Sequence, residues 1–275
     1  MTYSIDPTLR QLIVRQFPAA QAAGCFSPLA GLTGLTAKVT VGQQQMLARR
    51  ESSQPIPFVS RRREYRLLKR LASSGLTPQV YGHNPHWLLL EWLPGEVLDG
   101  SQIPQHLAEL VAMLSRLHHQ PLSGYRLQIL PLLQRYWQLC RQRNIRWLRA
   151  LQRLTCRGEP QPLRLAPLHM DIHAGNILQC GAQLRLIDWE YAGDGDIALE
   201  LAAIIAANTL SGTLSGELVA DYAHHNQIDC HELTQQIARW QPWLRVLMAS
   251  WYQLRAEQSS DCHLQQLAAD AWRAL

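Results

Sequence analysis

The first third of the chain combines short β-compatible runs with one helical stretch. The runs at 37–41 and 45–48 flank Gly42-Gln43, and this order predicts a β-hairpin. Apolar side chains recur with helical spacing between residues 62 and 71, whereas residues 87–93 form a continuous apolar run that ends at a Pro-Gly pair. That run predicts a buried strand followed by a turn.

Beyond residue 96 the hydrophobic pattern becomes helical. Leucine and valine recur every three or four positions from 107 to 117, which predicts an amphipathic helix that begins near Ser101. Helical character continues through 125–157 and 197–275. The last of these stretches is expected to break around Ser211-Gly212 and Pro242.

The sequence therefore predicts an α+β fold with two domains. Residues 1–94 are expected to form a small lobe with an antiparallel sheet and a helix, and residues 95–275 a larger, mainly helical lobe. A hinge near residues 91–96 joins the two. With 275 residues, the chain is long enough for one large domain or two coupled ones.

Composition narrows the class of protein. Hydrophobic residues at 47% and charged residues at 17% provide ample material for a core, which excludes a disordered chain. The formal net charge of +5 is spread along the chain and suits an anionic ligand without implying nucleic acid. Lysine occurs only at Lys38 and Lys69, so chemistry that demands a lysine has two candidates.

Cysteine spacing and the apolar runs indicate a cytoplasmic protein. The six cysteines include no C-x-x-C pair and are interpreted as reduced thiols without a disulfide framework or zinc site. The chain starts without a basic region followed by an apolar stretch. Its most apolar run, 197–207, is shorter than the roughly 20 residues that span a bilayer.

Candidate chemistry is concentrated between residues 168 and 191. Asp171 lies in a polar loop five positions before Asn176. Two short apolar runs then flank Gly181, which predicts a hairpin that returns Asp188 to the neighbourhood of Asn176. One carboxylate and one amide are thereby placed to share a cation, with a second carboxylate beside them.

This set of side chains suits phosphoryl transfer. Mg²⁺ prefers oxygen ligands from one or two carboxylates together with substrate phosphates, so Asn176 and Asp188 fit a metal–nucleotide site. The reaction also requires a carboxylate that orients the attacking hydroxyl and accepts its proton, a role that fits Asp171. Taken alone, Asp171 is also typical of a turn or cap, so the hypothesis rests on the whole constellation.

The order H-x-D-x-H-x-G-N, hairpin and I-D-W-E resembles the catalytic and metal loops of the aminoglycoside phosphotransferase/choline kinase superfamily. The longer run from 168 to 202 is similar to the bacterial thiamine kinases of that superfamily, and the likeness covers most of the second lobe. The resemblance implies a two-lobed, protein-kinase-like fold. The roles that it implies are a catalytic carboxylate at Asp171, magnesium ligands at Asn176 and Asp188, and structural supports of the loop at His169 and His173.

Two positions depart from the superfamily pattern. Glu200 stands where aspartate is common, either as part of the scaffold or in contact with substrate. A basic strand residue, paired with a glutamate on the next helix, is expected to hold phosphate; Glu64 fits the helix position, and the strand carries Arg49 instead of lysine. Arginine binds phosphate oxygens in a bidentate way, so Arg49 is predicted as the contact, with Arg50 and Lys38 as competing candidates.

The same resemblance implies the rest of the nucleotide site. In the turn at 30–36, Gly31 and Gly34 would let the backbone approach the phosphates closely. The hinge segment, with Glu91 and Leu93, is expected to meet adenine through its backbone.

The implied reaction moves the γ-phosphoryl group of ATP, bound with Mg²⁺, to the primary alcohol of thiamine and yields thiamine monophosphate and ADP. One alternative is a choline-, ethanolamine- or aminoglycoside-type kinase with the same machinery. Another is a pseudokinase module that binds nucleotide without transferring phosphate. A small-molecule substrate and a monomer are expected, with no nucleic acid and no membrane as partners.

Aromatic residues are the candidates for binding the acceptor. A cationic thiazolium ring favours aromatic faces and carboxylates. Trp189, Glu190 and Tyr191 directly follow the predicted metal ligand, so they are predicted to lie near the transfer site. Trp240 and Trp243 lie on the last helices, which wall the acceptor pocket in the superfamily. Each tryptophan by itself is also typical of a hydrophobic core.

Overall fold

The chain forms two compact units. The structure is a computed structural model that describes residues 6–17, 24–29, 35–54, 56–259 and 261–275. Unit one comprises Met1–Ser123 and Asp171–Ala192, and unit two comprises Gly124–Met170 and Gly193–Leu275. These units divide the chain elsewhere than the predicted boundary at residues 94 and 95, which stays a prediction.

Unit one combines helices with most of the strands, and helices dominate unit two. The described helices are α1 (Pro7–Gln16), α2 (Arg61–Leu71), α3 (Leu107–His118), α4 (Ile129–Leu139), α5 (Ile145–Arg157), α6 (Ile197–Ala207), α7 (Gly212–Asn226), α8 (Cys230–Ser259) and α9 (Cys262–Arg273). The described strands are β1 (Gly24–Leu29), β2 (Thr36–Val41), β3 (Gln44–Arg50), β4 (Val80–His83), β5 (Trp87–Glu91), β6 (Glu96–Val97), β7 (Leu165–Leu168), β8 (Ile177–Cys180), β9 (Gln183–Leu186) and β10 (Gly193–Asp196).

Unit one contains a five-stranded antiparallel sheet in the order β1-β2-β3-β5-β4. The predicted hairpin is confirmed as β2 and β3, and Gly42 adopts the positive φ of 60° that its tight turn requires. Leu9, Leu12 and Ile13 recur on one face of α1 and pack with buried sheet residues such as Met46. The predicted strand at 87–93 and helix at 62–71 are observed as β5 and α2.

A second sheet of unit one carries the predicted hairpin of the candidate site. Its strand order is β6-β8-β9, and all pairs are antiparallel. Gly181 occupies the turn between β8 and β9 with φ 63°, a conformation that costs glycine little. Residues 96 and 97 pair with β8, so the chain after the hinge segment belongs to the same unit as the hairpin.

Unit two is built from helices around a two-stranded ladder of β7 and β10. Tryptophans form much of its core: Trp147 is fully buried, stacks on Trp272 with ring centroids 4.7 Å apart, and meets Trp137 edge-on at 5.2 Å. The tryptophan content therefore serves packing to a large extent. In the parts of the chain described, no helix is both long and apolar enough to cross a membrane.

Two predicted helix boundaries are wrong. The helix expected near Ser101 begins at Leu107, because the segment before it, Gly100–His106, forms a 3₁₀ helix that contains Pro104 and is capped by Asp99. The break expected at Pro242 is absent, and α8 continues through it. A proline removes one helical N–H, and the buried indoles of Trp240 and Trp243 on either side keep the helix packed.

The fold leaves no room for a side chain at Gly95. Gly95→Ala should lower the free energy of unfolding by about 1–3 kcal/mol, because overpacking forces neighbouring atoms to shift. A Cβ at residue 95 would lie 2.6 Å from the Gln179 carbonyl oxygen and 3.0 Å from Cys180 Sγ. Gly100→Ala is the matched control, since no heavy atom lies within 4 Å of its added carbon. Denaturant unfolding measures both; equal effects would contradict the prediction.

Candidate active site

One asparagine side chain joins the candidate catalytic loop to the start of the hairpin. Asn176 Nδ2 donates to the Asp171 carbonyl oxygen at 2.9 Å and to Asp171 Oδ2 at 3.1 Å. The backbone carbonyl of Asn176 accepts from Ile187 N at 3.1 Å, so the far end of the hairpin returns to it. Asp188 follows Ile187 directly. The hairpin register therefore brings together the loop and strand ends as the sequence predicts.

Asp188 presents a partly exposed carboxylate at the end of the hairpin. Its backbone is left-handed, with φ 63° and ψ 64°, a conformation that non-glycine residues adopt rarely and aspartate more readily than most. The side chain is 37% exposed, and its Oδ1 accepts from Arg49 Nη2 at 2.6 Å. Asp188, the predicted metal ligand, is thus hydrogen-bonded to the buried guanidinium of Arg49.

Arg49 binds three carboxylates. Its Nη1 donates to Glu64 Oε1 at 2.7 Å, and its Nη2 donates both to Asp188 and, at 2.8 Å, to Glu190 Oε2. Burial alone would lower the pKa of this guanidinium, yet the three carboxylates outweigh burial and hold the pKa above its ordinary value. The predicted pairing of Arg49 with Glu64 is present, and its contact with phosphate stays a prediction.

A second buried arginine completes this group of charges. Arg61 Nη1 donates to Glu64 Oε2 at 2.6 Å and lies 3.0 Å from Glu190 Oε2. The five side chains, here called the Arg49 cluster, are Arg49, Arg61, Glu64, Asp188 and Glu190. Two arginines and three carboxylates give the cluster a formal charge of −1. Burial raises the pKa of Glu190, Asp188 adds to the rise, and both arginines oppose it.

In unit two, Glu200 holds the backbone that leads into the catalytic loop. This carboxylate is fully buried and accepts from His169 N at 3.0 and 3.1 Å and from Met170 N at 2.6 Å. Met170 has a positive φ of 68°. Of the two roles left open by the sequence, Glu200 therefore performs that of a scaffold residue, and His169 is fully buried beside it.

His173 caps the short 3₁₀ turn that contains Asn176. Its Nδ1 accepts from Gly175 N at 3.1 Å, which requires that nitrogen to be unprotonated. Burial lowers the pKa of His173, and the charge of Asp188 opposes the shift. The neutral imidazole that this cap needs is thus the favoured form, in agreement with a structural function in the loop.

The predicted acceptor residues differ in exposure. Trp189 is 1% exposed and donates from Nε1 to the Leu186 carbonyl, whereas Tyr191 is partly exposed. In unit two, Trp240 and Trp243 are buried, and Trp240 Nε1 donates to Asp196 Oδ2 at 2.7 Å. Their contact with an acceptor stays a prediction.

The nucleotide-binding candidates lie in several places. Gly31 and Gly34 fall outside the described residues. Glu91 accepts from Gln79 N through Oε2 at 3.0 Å, and Leu93 is buried. Of the competing cations, Lys38 Nζ lies 4.1 Å from the centre of the Trp92 ring.

The other competitor, Arg50, packs over Trp87 with its guanidinium carbon 5.8 Å from the ring centre. Both competing cations therefore have aromatic partners. Arg49 alone among the three candidates contacts Asp188 in the described parts of the chain.

The donor set at the hairpin ends fits a hard divalent cation. No described group of three or more histidine, cysteine, aspartate or glutamate side chains is arranged to hold a metal ion. Asn176 uses its amide nitrogen on Asp171, so the amide oxygen is the ligand atom that it offers. With Asp188 it supplies the mixed oxygen set that Mg²⁺ accepts when phosphates and water complete the coordination.

Comparison with known proteins identifies the family. The sequence model of the phosphotransferase enzyme family matches residues 27–243. The chain belongs to this family. Thiamine kinases of Escherichia coli and Shigella dysenteriae are each 40% identical to this phosphotransferase over 275 residues, which covers 99% of this chain and 97% of theirs.

Solved structures give the fold of this phosphotransferase independently. Choline kinase LicA from Streptococcus pneumoniae has 18% identity and a TM-score of 0.75, covering 96% of this chain and 99% of that one. LicA in complex with AMP has 16% identity and a TM-score of 0.77, covering 99% of both chains. The Plasmodium vivax ethanolamine kinase has 16% identity and a TM-score of 0.80, covering 99% of this chain and 90% of that one. The predicted α+β, protein-kinase-like fold is confirmed.

Sequence reasoning missed Arg61 in this phosphotransferase. Arg61 is the first of three consecutive arginines, and only its position three residues before Glu64 distinguishes it in the sequence. That i,i+3 spacing places an arginine and a glutamate on one helical face and was the available signal. Burial then separates Arg61, 1% exposed, from the exposed Arg62.

The contacts of Glu200 predict a large loss of stability. Glu200→Ala should lower the free energy of unfolding by about 3 kcal/mol, because the backbone N–H groups of His169 and Met170 lose a charged acceptor inside the protein. Glu217→Ala on the exposed face of α7 is the matched control and should change stability by less than about 0.5 kcal/mol. Denaturant unfolding that finds the two variants alike would contradict the scaffold function of Glu200.

Proposed function

We propose that this phosphotransferase is a kinase that transfers the γ-phosphoryl group of ATP to the primary hydroxyl of thiamine. The observation that carries the proposal is the likeness of the chain to the thiamine kinases. It is 40% identical to them over 99% of its length. The joined positions of Asp171 and Asn176, and the return of the hairpin to Asn176, support the chemistry. The nucleotide-bound LicA structure, which has the same fold, supports a nucleotide as the donor.

Asp171 is the proposed catalytic carboxylate. It orients the attacking hydroxyl and accepts its proton while the hydroxyl oxygen bonds to the γ-phosphorus and the bond to ADP breaks. Asn176 Nδ2 donates to Oδ2 and to the backbone carbonyl oxygen of Asp171, so it fixes both the side chain and the backbone of that residue. Asp171 therefore needs little reorganisation when the substrates bind, which is how positioned groups lower a barrier.

Asn176 and Asp188 are the proposed Mg²⁺ ligands. The bound metal ion supplies charge neutralisation to the phosphate oxygens as phosphoryl transfer proceeds. The formal charge of −1 on the Arg49 cluster favours a cation at the partly exposed carboxylate of Asp188. The charge of Asp188 acts on the pKa of His173, and the neutral imidazole stabilises the loop by accepting from Gly175 N.

The remaining nucleotide contacts are part of the proposal. Arg49 Nε is buried and has no hydrogen-bond partner among the described residues, so this guanidinium retains capacity for one more acceptor such as a phosphate oxygen. Glu64 holds Arg49 on the strand in that arrangement. The residues proposed to contact phosphate and adenine through their backbone are Gly31, Gly34, Glu91 and Leu93.

A cationic acceptor needs accessible aromatic faces. Thiamine carries a positive thiazolium ring, which aromatic rings bind through their π-faces. Tyr191, directly after the Arg49 cluster in the chain, is partly exposed, and so are Trp251 and Tyr252 in unit two. Each of these rings, taken by itself within its own unit, is a better candidate for stacking than Trp240 or Trp243, which are buried in the core.

A coupled assay that follows ADP formation with thiamine, choline and kanamycin as acceptors tests the proposal. Thiamine should be turned over fastest. Asp171→Asn should reduce kcat about 10²–10⁴-fold, the usual contribution of a positioned general base, and should leave ATP binding largely intact.

Asp221→Asn on the exposed face of α7 is the matched control and should retain full activity. Turnover of choline or kanamycin as fast as thiamine would overturn the acceptor assignment. Retained activity in Asp171→Asn would overturn the catalytic assignment. Nucleotide binding without transfer to any of the three acceptors would favour a pseudokinase.

A further inference from the structure

Two fully buried side chains of the Arg49 cluster contact no substrate or metal ion in the chemistry proposed above. Arg61 and Glu190 are each 1% exposed, and their charged groups lie 3.0 Å apart. Replacing a buried ion pair with apolar groups of similar size is often neutral or stabilising, so such a pair is weak grounds for stability alone. The contacts around this pair point to a function in positioning.

Glu190 and Asp188 share one donor atom. Arg49 Nη2 lies 2.6 Å from Asp188 Oδ1 and 2.8 Å from Glu190 Oε2, so a single nitrogen sets the distance between the two carboxylates. The other end of the guanidinium is fixed by Glu64 at 2.7 Å. The orientation of Arg49 therefore depends on having an anion at residue 190.

Arg61 in turn fixes Glu190. Its Nη1 contacts the same Oε2 atom that Arg49 contacts, and its Nε donates to the Arg50 carbonyl oxygen on β3 at 3.2 Å. The backbone carbonyl of Glu190 accepts from Arg63 Nη2 at 2.6 Å. Residue 190 is therefore held by its side chain and its backbone from the first turn of α2.

We propose that Arg61 and Glu190 are positioning residues for Asp188: together they fix the guanidinium of Arg49, which holds the Asp188 carboxylate through Oδ1 in the orientation that binds the metal ion. Arg61 and Glu190 touch neither substrate nor metal in this assignment. It replaces substrate contact as the function of Glu190, and it rests on the proposed function through the magnesium site.

Net charge must be separated from geometry in the test. Arg61→Met changes the formal charge of the Arg49 cluster from −1 to −2, and Glu190→Gln changes it to 0. In each single variant the change of charge would therefore alter cation binding in addition to any change of geometry. The double variant Arg61→Met/Glu190→Gln retains −1 but replaces the anionic second acceptor of Arg49 Nη2 with a neutral amide oxygen. Arg62→Met, an exposed neighbour on α2, is the matched control.

Three measurements are made on the full chain: the melting temperature without metal, ATP affinity by calorimetry with and without Mg²⁺, and the Mg²⁺ concentration for half-maximal turnover. Each single variant should melt roughly 10 °C lower, because a buried charge loses one of its two partners. The double variant should recover most of that loss. Its gain in ATP affinity on adding Mg²⁺ should nevertheless fall about tenfold, and its half-maximal Mg²⁺ concentration should rise about tenfold.

The outcomes separate positioning from a structural function. A double variant that regains both wild-type stability and the wild-type response to Mg²⁺ would overturn the positioning function, and so would single variants that match Arg62→Met in every measurement. If the ATP affinity of the wild-type chain is the same with and without Mg²⁺, the proposed magnesium site is overturned, and this inference with it. Because calorimetry requires no acceptor, it is unaffected if thiamine proves to be the wrong alcohol.

Discussion

The burial of one guanidinium group is the constraint on which the candidate site depends. Arg49 is 4% exposed, and an unpartnered cation in that position would be strongly destabilising. Its partners come from separate segments: Glu64 from α2, Asp188 from the end of the hairpin and Glu190 from the turn that follows. The five-stranded sheet, helix α2 and the hairpin are therefore fixed relative to one another by a single side chain.

A buried carboxylate performs the complementary task in unit two. Glu200 accepts from the backbone N–H groups of His169 and Met170, so it determines the path of the backbone immediately before Asp171. Asn176 fixes Asp171 itself from the other side of the loop. Glutamate in place of the commoner aspartate is tolerated here because the requirement is a buried acceptor that reaches two consecutive N–H groups.

The predictable parts of the site are those that local spacing determines. The hairpin around Gly181 follows from two apolar runs and a turn residue, and it is enough to bring Asp188 back to Asn176. Burial is not encoded by spacing in the same way. In the sequence, Arg61 differs from Arg62 only by its spacing from Glu64, and that spacing does not say which face of the helix packs inward. Pro242 likewise predicts a break, and only the packing of its neighbours shows why α8 continues.

The choice of acceptor is the property that is hardest to predict from the sequence. Trp189 and Trp240 have their indole N–H groups bound to buried acceptors, so offering their faces to a ligand would require the core to open. The ring of Tyr191 is partly exposed, so the acceptor contact that we propose for it avoids that cost.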